Sequence, residues 1–392
     1  MSIKLRSVPF AVFVVLPLLL LVSCETMDEP ASPTESQRTG FVEIDPGVIL
    51  DASETTSMQK AFNATAYPSL MGCTIAYDMA HDGGIQRRAA PSSGNGASTL
   101  FGDYTSRGAT ITEITTFNLA TLSQYCVLWM EEDWYTALTA AEKTDLFAWV
   151  NTGGCVLIHG DNWSEFHADY GSPLKVFGFS YTNTNTSGIT SNIGTHVTTT
   201  GVNTLYFDAA DAILNVPVGA TVLAKDPPNT YNLAAVAVIG MGKVAVISDD
   251  IFLNNTINNQ DNRVLANNLL TWFCGITVNI DIKPMGYPNS INCNNMNGLI
   301  TVAILSDANF DATMVDHSSV YFEGATEYHV NKKTNVPKRH VEDANMDGLL
   351  DLVLHFRMGD TNLDCSSTMG TLTGMLYSGW SINGWDSVNM VP

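Results

Sequence analysis

Positive charge and long hydrophobic runs are what this sequence lacks. Its 392 residues hold 18 Lys and Arg against 39 Asp and Glu, which gives a formal net charge of −21. Such a surface repels phosphate backbones and attracts cations, so we expect no nucleic-acid partner. The longest apolar run, residues 8–22, is shorter than the ~20 residues that a membrane-spanning helix needs. We therefore expect a protein that is attached to a membrane without crossing it.

The N-terminal residues have the pattern of a secretory signal. Lys4 and Arg6 precede the apolar run, and residues 21–24 (LVSC) follow it. This ending resembles the lipobox of bacterial lipoproteins, in which the Cys is lipidated and becomes the first mature residue. The resemblance implies that residues 1–24 are a lipoprotein signal peptide, that Cys24 carries the lipid, and that the exported protein lies in the cell envelope, on the periplasmic face or the outer surface. An ordinary signal peptide or a transmembrane anchor is the alternative.

Residues 25–63 are rich in Pro, Ser, Thr and acids and show little periodicity, which predicts a flexible acidic tether. Six cysteines follow the lipobox, in an export context that permits disulfides. Cys73, Cys126 and Cys155 begin or enter apolar strands, where we expect buried thiols that act as small hydrophobes. Cys293 and Cys365 fall in predicted loops and could pair, although sequence leaves the connectivity open.

Residues 64–275 alternate between predicted strands and helices, which indicates a parallel sheet. In the most regular part, Thr139 and Glu142 have the spacing of a capping box, and a helix follows that ends at Gly153 and Gly154. Residues 155–158 then form a short apolar run that is typical of a buried strand. We interpret residues 182–200, rich in Thr, Asn, Ser and Gly, as a surface excursion. Residues 234–239 and 243–247 are predicted to form a hairpin.

Several segments of this region carry a resemblance. Residues 138–162 (LTAAEKTDLFAWVNTGGCVLIHGDN), 193–203 (IGTHVTTTGVN), 240–250 (GMGKVAVISDD) and 262–273 (NRVLANNLLTWF), in this order, resemble the class I glutamine amidotransferase-like superfamily. The closer likeness is to its non-enzymatic branch in gliding-motility and transport-associated proteins. The resemblance implies an α/β domain with a parallel sheet of the amidotransferase/flavodoxin-like type.

Residues 276–392 show a period of two instead. Apolar and polar residues alternate over 276–282, and further short strands are separated by turn signals, which predicts a small all-β sandwich. Segments such as VNIDIKP, GLITVAILSDANFDATMVDHSSVYFEGA and HVEDANMDGLLDLVLHF closely resemble a domain appended to the C-terminus of many bacterial secreted proteins. That family is an accessory module, so the resemblance implies no activity.

A loop of this module has the spacing of calcium ligands. Oxygen donors occupy positions 1, 3, 5, 7 and 9, with Gly348 at position 6 for the tight turn. These donors are Asp343, Asn345, Asp347, the Leu349 carbonyl and Asp351. Position 12 is Leu354 and not the bidentate Glu of an EF-hand, so water or a distant acid would complete the site. Candidate acids are Glu342, Asp360 and Asp364. We expect a structural Ca²⁺; the alternative is an acidic turn that binds no ion.

Polar side chains also follow the predicted strands of the large domain. In a parallel sheet these would line one crevice at the carboxyl edge. They are Asp78, His81, Glu131, His159, Asp161, Asn162 and Asp249. A metal-dependent or carbohydrate-directed hydrolase could use such carboxylates. The alternative is that the acids cap the helices that follow.

The residues in the turn after the strand at 155–158 distinguish a binding protein from an enzyme that acts on amides or esters. Catalytic amidotransferases place a Cys there, and α/β-hydrolases place a Ser between glycines. Here the turn reads His159-Gly160-Asp161, and Cys155 comes about four residues too early. We therefore expect a non-catalytic module that binds an unidentified protein or glycan of the envelope. A purely structural envelope component is the remaining alternative.

Overall fold

The computed structural model describes residues 67–81, 96–131, 136–160 and 172–392. The predicted signal peptide, Cys24 and the tether lie outside these ranges. Of the described residues, 40% are in strands and 17% are in helices, so this part of the chain is mostly β. None of the helices in the described ranges has the length and apolarity needed to cross a bilayer.

Nine strands of the described chain form one curled sheet, with five helices among them. The strands are β1 (Thr74–Asp78), β2 (Thr110–Ile114), β3 (Val127–Glu131), β4 (Cys155–His159), β5 (Ser180–Thr190), β6 (Leu205–Asn215), β7 (Thr221–Lys225), β8 (Asn232–Ile239) and β9 (Gly242–Ile247). The helices are α1 (Ser98–Ser106), α2 (Leu119–Leu122), α3 (Ala140–Asn151), α4 (Pro173–Val176) and α5 (Asn262–Cys274). The strand order is β2-β1-β3-β4-β9-β8-β6-β5, and β7 also pairs with β8.

The predicted parallel-sheet, flavodoxin-like α/β domain is wrong, because the sheet is mixed. Strands β2, β1, β3, β4 and β9 run parallel to one another. Strand β8 then pairs antiparallel with β9, and β6, β7 and β5 continue the sheet in antiparallel pairs. Nearly half of the strands thus belong to a meander that needs no crossover helix, and the described chain has little helix as a result.

The error comes from residues 182–200, which were interpreted as a surface excursion. The first nine residues of this stretch belong to the edge strand β5, which pairs with β6 from Ser180 opposite Asn215 to Thr190 opposite Leu205. Thr is branched at Cβ and suits a half-exposed strand as well as a loop. Three register irregularities interrupt the β5–β6 pairing and disturb the alternation that would have marked it as a strand.

Two local predictions in this region are confirmed. Strands β8 and β9 form the expected hairpin, with Ile239 opposite Gly242. At the start of α3, the Thr139 backbone N–H donates to Glu142 Oε2 at 2.8 Å, and the Glu142 N–H donates to Thr139 Oγ1 at 3.3 Å. This is the reciprocal capping box, which satisfies two backbone donors that a helix end would leave without partners.

The C-terminal residues form three sheets with β-sandwich features. Their strands are β10 (Ile276–Thr277), β11 (Ile280–Ile282), β12 (Ser290–Asn292), β13 (Leu299–Ile304), β14 (Val315–Phe322), β15 (Ala325–Thr326), β16 (His340–Glu342), β17 (Asp351–Arg357), β18 (Met369–Leu376), β19 (Ser381–Ser387) and β20 (Asn389–Val391). The sheets are β10-β19-β18-β14-β15, β11-β13-β17-β16 and β12-β20. The first two share one core, in which the rings of Phe322 and Phe356 lie 5.3 Å apart.

Two disulfides join residues that are distant in sequence. Cys73 bonds to Cys274 across 201 residues, and Cys293 bonds to Cys365 across 72 residues. The second bond joins the two loop cysteines that the sequence left free to pair. The first corrects the expectation that Cys73 is a free thiol; Cys126 and Cys155 are the buried thiols.

The end of α5 joins the two parts of the described chain closely. Trp272, Ile276 and Val278 belong to a single hydrophobic cluster that contains residues of both the large sheet and the C-terminal sheets. Asn383 Nδ2 donates to the Cys274 carbonyl at 2.8 Å. The junction is therefore a packed interface and not a linker.

Candidate functional site

The parallel half of the large sheet brings several predicted site residues to one edge. Strands β1, β3 and β4 are neighbours, with Tyr77 opposite Trp129 and Glu131 opposite His159. Asp78 ends β1, one residue after Tyr77. Asp78, Glu131 and His159 therefore lie at the carboxyl edge, as the sequence predicted.

Asp78 and His81 form a buried ion pair at this edge. His81 Nδ1 lies 2.8 Å from Asp78 Oδ2, and His81 Nε2 lies 3.4 Å from Glu142 Oε1. Glu142 is the capping-box residue of α3, so the helix start is tied to the imidazole. Asp78 Oδ1 accepts the backbone N–H groups of Ala80 and His81, which fixes the turn after β1.

The two carboxylates change the protonation of His81. Burial lowers the pKa of His81, but the hydrogen bond and the charge of Asp78, together with Glu142, outweigh burial and raise the pKa above its ordinary value. Burial raises the pKa of Glu142, but hydrogen bonds from Thr139 and the His81 charge outweigh it and hold that pKa below its usual range. The group is an acid–imidazole–acid array that favours a protonated histidine.

Glu131 and His159 form a second pair, which the surrounding protein encloses. His159 Nδ1 lies 2.8 Å from Glu131 Oε2, and the Trp129 indole N–H donates to the same oxygen at 3.1 Å. On the other side of the ring, the Phe252 backbone N–H donates to His159 Nε2 at 3.2 Å. The proton of a neutral His159 therefore lies on Nδ1, and both ring nitrogens are engaged.

Strand β4 thus ends in an inert group. His159 is fully buried, and its ring stacks on Phe252 with a centroid distance of 5.0 Å and an interplanar angle of 4°. A general base needs a ring nitrogen that can reach a substrate or a nucleophile. Neither nitrogen of His159 meets this requirement in the observed arrangement.

The remaining crevice residues are not all brought into this group. Asp249 follows β9, and its Oδ2 accepts the backbone N–H of Asp208 while its Oδ1 accepts that of Asp250 at 2.9 Å. Asp249 thus joins strand β6 to the segment that follows β9. Asp161 and Asn162 lie outside the described residues.

The predicted calcium loop connects β16 to β17, and three of its side chains converge. Asp343 Oδ1 and Asn345 Oδ1 both accept the Asp347 backbone N–H at 3.1 Å, and Asp343 Oδ2 accepts the Gly348 N–H at 3.0 Å. The Leu349 N–H donates to Asp347 Oδ1 at 2.8 Å. Gly348 has a φ of 90°, which a glycine adopts without strain.

Asp351, the fifth predicted ligand, lies apart from these three. It is fully buried, and its two oxygens accept the backbone N–H groups of Ser306 and Ala344 at 2.8 and 2.9 Å. Among the acids suggested to complete the site, Glu342 lies opposite Asp351 in the β16–β17 pair, whereas Asp360 is paired with Arg357.

Sequence reasoning missed a cluster of three histidines, two of which lie on the same hairpin. One potential ligand atom from each of His329, His340 and His355 lies within 4.8 Å of the other two. Among the described residues, these three side chains form the one group of three or more His, Cys, Asp or Glu residues that could hold a metal ion. Burial lowers the pKa of His355 to about 4, with the charges of His329 and His340 acting in the same direction. The sequence feature that could have indicated this cluster is the position of His340 and His355, on the two strands that flank the predicted calcium loop, which is rich in Asp.

Comparisons with known proteins find distant structural likenesses only. No protein-family model and no curated protein matches this sequence. The N-terminal domain of mmIFT52 is 15% identical with a TM-score of 0.41, and the match covers 51% of this chain and 96% of that one. A ThuA-like protein from Bacteroides uniformis is 14% identical with a TM-score of 0.37, over 53% of this chain and 94% of its own.

A β-galactosidase from Bacillus circulans sp. alkalophilus is 12% identical with a TM-score of 0.33, and the match covers 74% of this chain and 42% of the enzyme. The likenesses identify no family. A ThuA-like protein is among the similar structures, as a coarse likeness of fold only. At these identities and TM-scores they carry no argument about activity.

Proposed function

We propose that this chain is a non-catalytic binding module of the bacterial cell envelope, held at a membrane through a lipid on Cys24 and stabilised by calcium in its C-terminal part. The observation that carries the non-catalytic part is the enclosure of His159. It is the last residue of β4, directly before the turn where an enzyme of the resembling superfamily would place its nucleophile, and both of its nitrogens are engaged by Glu131 and Phe252.

The binding part of the proposal rests on the Asp78–His81–Glu142 array. The array sets one imidazole against two carboxylates, and Glu142 is the most exposed of the three side chains. It therefore suits a cationic or hydrogen-bond-donating group of a protein or glycan better than a proton-transfer step. A general base must be unprotonated to accept a proton, and the two carboxylates raise the pKa of His81 and so favour its protonated form.

The test compares the full chain with the variant Asp78→Asn combined with His81→Gln. Asn keeps an oxygen that can accept the Ala80 and His81 N–H groups, so the turn should persist while the charges are removed. At a temperature well below the melting temperature of either protein, immobilised wild-type protein should retain an envelope protein or glycan that the variant releases. His317→Ala, in the C-terminal part, is the matched control.

Two results would contradict this proposal. Turnover of an envelope ester, amide or glycan that disappears in the variant would favour the hydrolase. Equal retention by both proteins, with a lower melting temperature of the variant, would mean that Asp78 and His81 only stabilise the turn after β1.

The calcium part rests on the convergence of Asp343, Asn345 and Asp347 around one loop. Such a set of carboxylate and amide oxygens suits a hard cation. Ca²⁺ should raise the melting temperature of the full chain, because a ligand at one hundred times its Kd stabilises the folded state by about 2.7 kcal/mol. Asp347→Ala should abolish the shift, and Asp307→Ala, in a different loop, should keep it. No shift with Ca²⁺, or an unchanged shift in Asp347→Ala, would mean that the loop binds no calcium.

The membrane part rests on the sequence of residues 21–24. Cells that express the chain and receive a labelled fatty acid should yield a labelled, membrane-associated protein, because each buried CH₂ of an acyl chain contributes ~0.8 kcal/mol to membrane association. Cys24→Ala should remove both the label and the membrane association. A Cys24→Ala protein that stays labelled would contradict the lipobox interpretation.

A further inference from the structure

Three separate segments of the C-terminal module bring His329, His340 and His355 together. His340 begins β16 and lies opposite Val353 of β17, so His355, two residues further along β17, is on the same face as Val353. His329 lies in the turn after β15 and is joined to the approach to β16, where the Lys338 N–H donates to the His329 carbonyl at 2.7 Å. The core faces of the sheet lie on the opposite side, which Leu354 and Phe356 fill.

A buried carboxylate fixes the backbone that carries two of these histidines. Glu327 is 3% exposed, and its Oε1 accepts the His329 N–H at 2.6 Å while its Oε2 accepts the His355 N–H at 2.7 Å. The Tyr328 N–H also donates to the His355 carbonyl at 2.7 Å. These bonds hold the segment around His329 against β17 and leave the imidazoles to face one another.

The imidazoles have nitrogens that the described protein does not satisfy. His340 Nε2 and His355 Nδ1 are buried, and neither has a hydrogen-bond partner within the described ranges. A buried polar atom without a partner destabilises the folded protein unless a ligand satisfies it. By contrast, both nitrogens of His317 in the same module are engaged, by the Tyr377 hydroxyl and the Pro337 carbonyl at 3.2 and 3.1 Å.

The ring arrangement is compatible with a shared ion. The ring centroids of His329 and His355 lie 4.3 Å apart, and those of His340 lie 5.6 and 5.5 Å from the other two. In tetrahedral zinc with Zn–N bonds of about 2.0–2.1 Å, ligand nitrogens lie roughly 3.4 Å apart. Because the three ligand atoms here are within 4.8 Å of one another, binding requires them to approach by no more than about 1.4 Å.

We propose that His329, His340 and His355 form a three-histidine site for a divalent transition metal ion of the zinc class, with a fourth coordination position open to water. Imidazole is a ligand for zinc, copper, iron and nickel, whereas calcium and magnesium take oxygen ligands. The site is therefore chemically distinct from the Asp-rich loop, although that loop connects the two strands that carry His340 and His355. Glu327 is a positioning residue for this site.

Zinc alone is the probe, and the full chain is expressed without a polyhistidine tag, freed of metal and titrated in excess calcium. We expect one Zn²⁺ per chain at this site, and visible absorption of a tetrahedral complex when Co²⁺ replaces zinc. Loss of outer-shell partners typically weakens metal affinity about 10–100-fold. His329→Ala, His340→Ala and His355→Ala each remove a direct ligand and should weaken zinc binding by more than about 100-fold.

His317→Ala should bind zinc as the wild type does, because its ring is not part of the cluster. His340→Ala is the decisive variant if His355→Ala does not fold, since His340 lies at the start of a short surface strand. Zinc binding that survives in all three variants, or that is lost in His81→Ala instead, would overturn the proposal. The absence of zinc binding by the wild type would overturn it as well.

Two further variants separate this site from the other roles. Glu327→Gln keeps oxygen and adds N–H, so one of the two backbone contacts is lost; zinc affinity should fall about tenfold and the Co²⁺ spectrum should change, which a purely structural role would not cause. Asp347→Ala should bind zinc normally even if it loses its response to calcium. A zinc site that disappears together with the calcium response would contradict the assignment of two distinct sites.

Discussion

The disulfide between Cys73 and Cys274 should contribute more to stability than any other single covalent link in the described chain. It joins the residue before β1 to the last residue of α5 and encloses 201 residues. In the chain-entropy treatment, the stabilisation grows with the logarithm of the enclosed length. That treatment gives about 5 kcal/mol for this bond and about 4 kcal/mol for the Cys293–Cys365 bond, which encloses 72 residues.

The experiment replaces Cys73 and Cys274 together by Ala and measures urea-induced unfolding without reductant, followed by tryptophan fluorescence. The free energy of unfolding should fall by about 5 kcal/mol, and by about 1 kcal/mol less in the corresponding variant of Cys293 and Cys365. The matched control replaces Cys126 and Cys155, which are buried but not bonded, and so measures the loss of sulfur packing alone. The reasoning fails if the Cys73 and Cys274 variant loses no more stability than this control.

Two further predictions concern ionisable groups. An NMR titration should place the pKa of His81 above its ordinary value, and Asp78→Asn should lower that pKa. A raised pKa adds stability that is complete below pH 6.5 and is lost as the pH rises through the pKa of the folded state. The loss of unfolding free energy in Asp78→Asn should therefore be smaller at high pH than at low pH. Asp103 accepts two hydrogen bonds from Arg263, and although burial raises its pKa, these bonds outweigh burial and lower it. Asp103→Asn should therefore lower the free energy of unfolding by about 1 kcal/mol at pH 7. Urea unfolding should show that this difference from the wild type vanishes as the pH falls through the pKa of Asp103 in the folded protein. A constant difference down to pH 2 would contradict this assignment.

Local patterns predicted the elements whose signals lie within a few residues of one another. The Thr139 capping box, the strand from Cys155 and the β8–β9 hairpin all depend on neighbours in sequence, and the structure contains each of them. The placement of Asp78, Glu131 and His159 at one edge followed from the parallel order of their strands. Sequence did not reveal that His81 contacts Glu142 as well as Asp78, because Glu142 reaches the imidazole from a helix of a different segment.

Predictions failed where pairing depends on distant partners. A Thr-rich and Asn-rich segment becomes strand β5 only because β6 lies beside it, and β6 itself carries irregular register that hides its period of two. Cys73 could not be matched with Cys274 because 201 residues separate them. The three histidines come from a turn and two strands, so no spacing in the sequence marks them as a group.

The packed junction after α5 has a consequence for what the molecule can transmit. Gly72, before β1, lies beside the Trp385 ring of β19, and the Thr277 N–H donates to the Ser69 carbonyl at 3.2 Å. Together with the Cys73–Cys274 bond, these contacts prevent the C-terminal module from rotating freely relative to the large sheet. A partner bound to one part would therefore keep a fixed orientation relative to the other part. A mechanical force applied to one part would be transmitted to the other, and the two would move together.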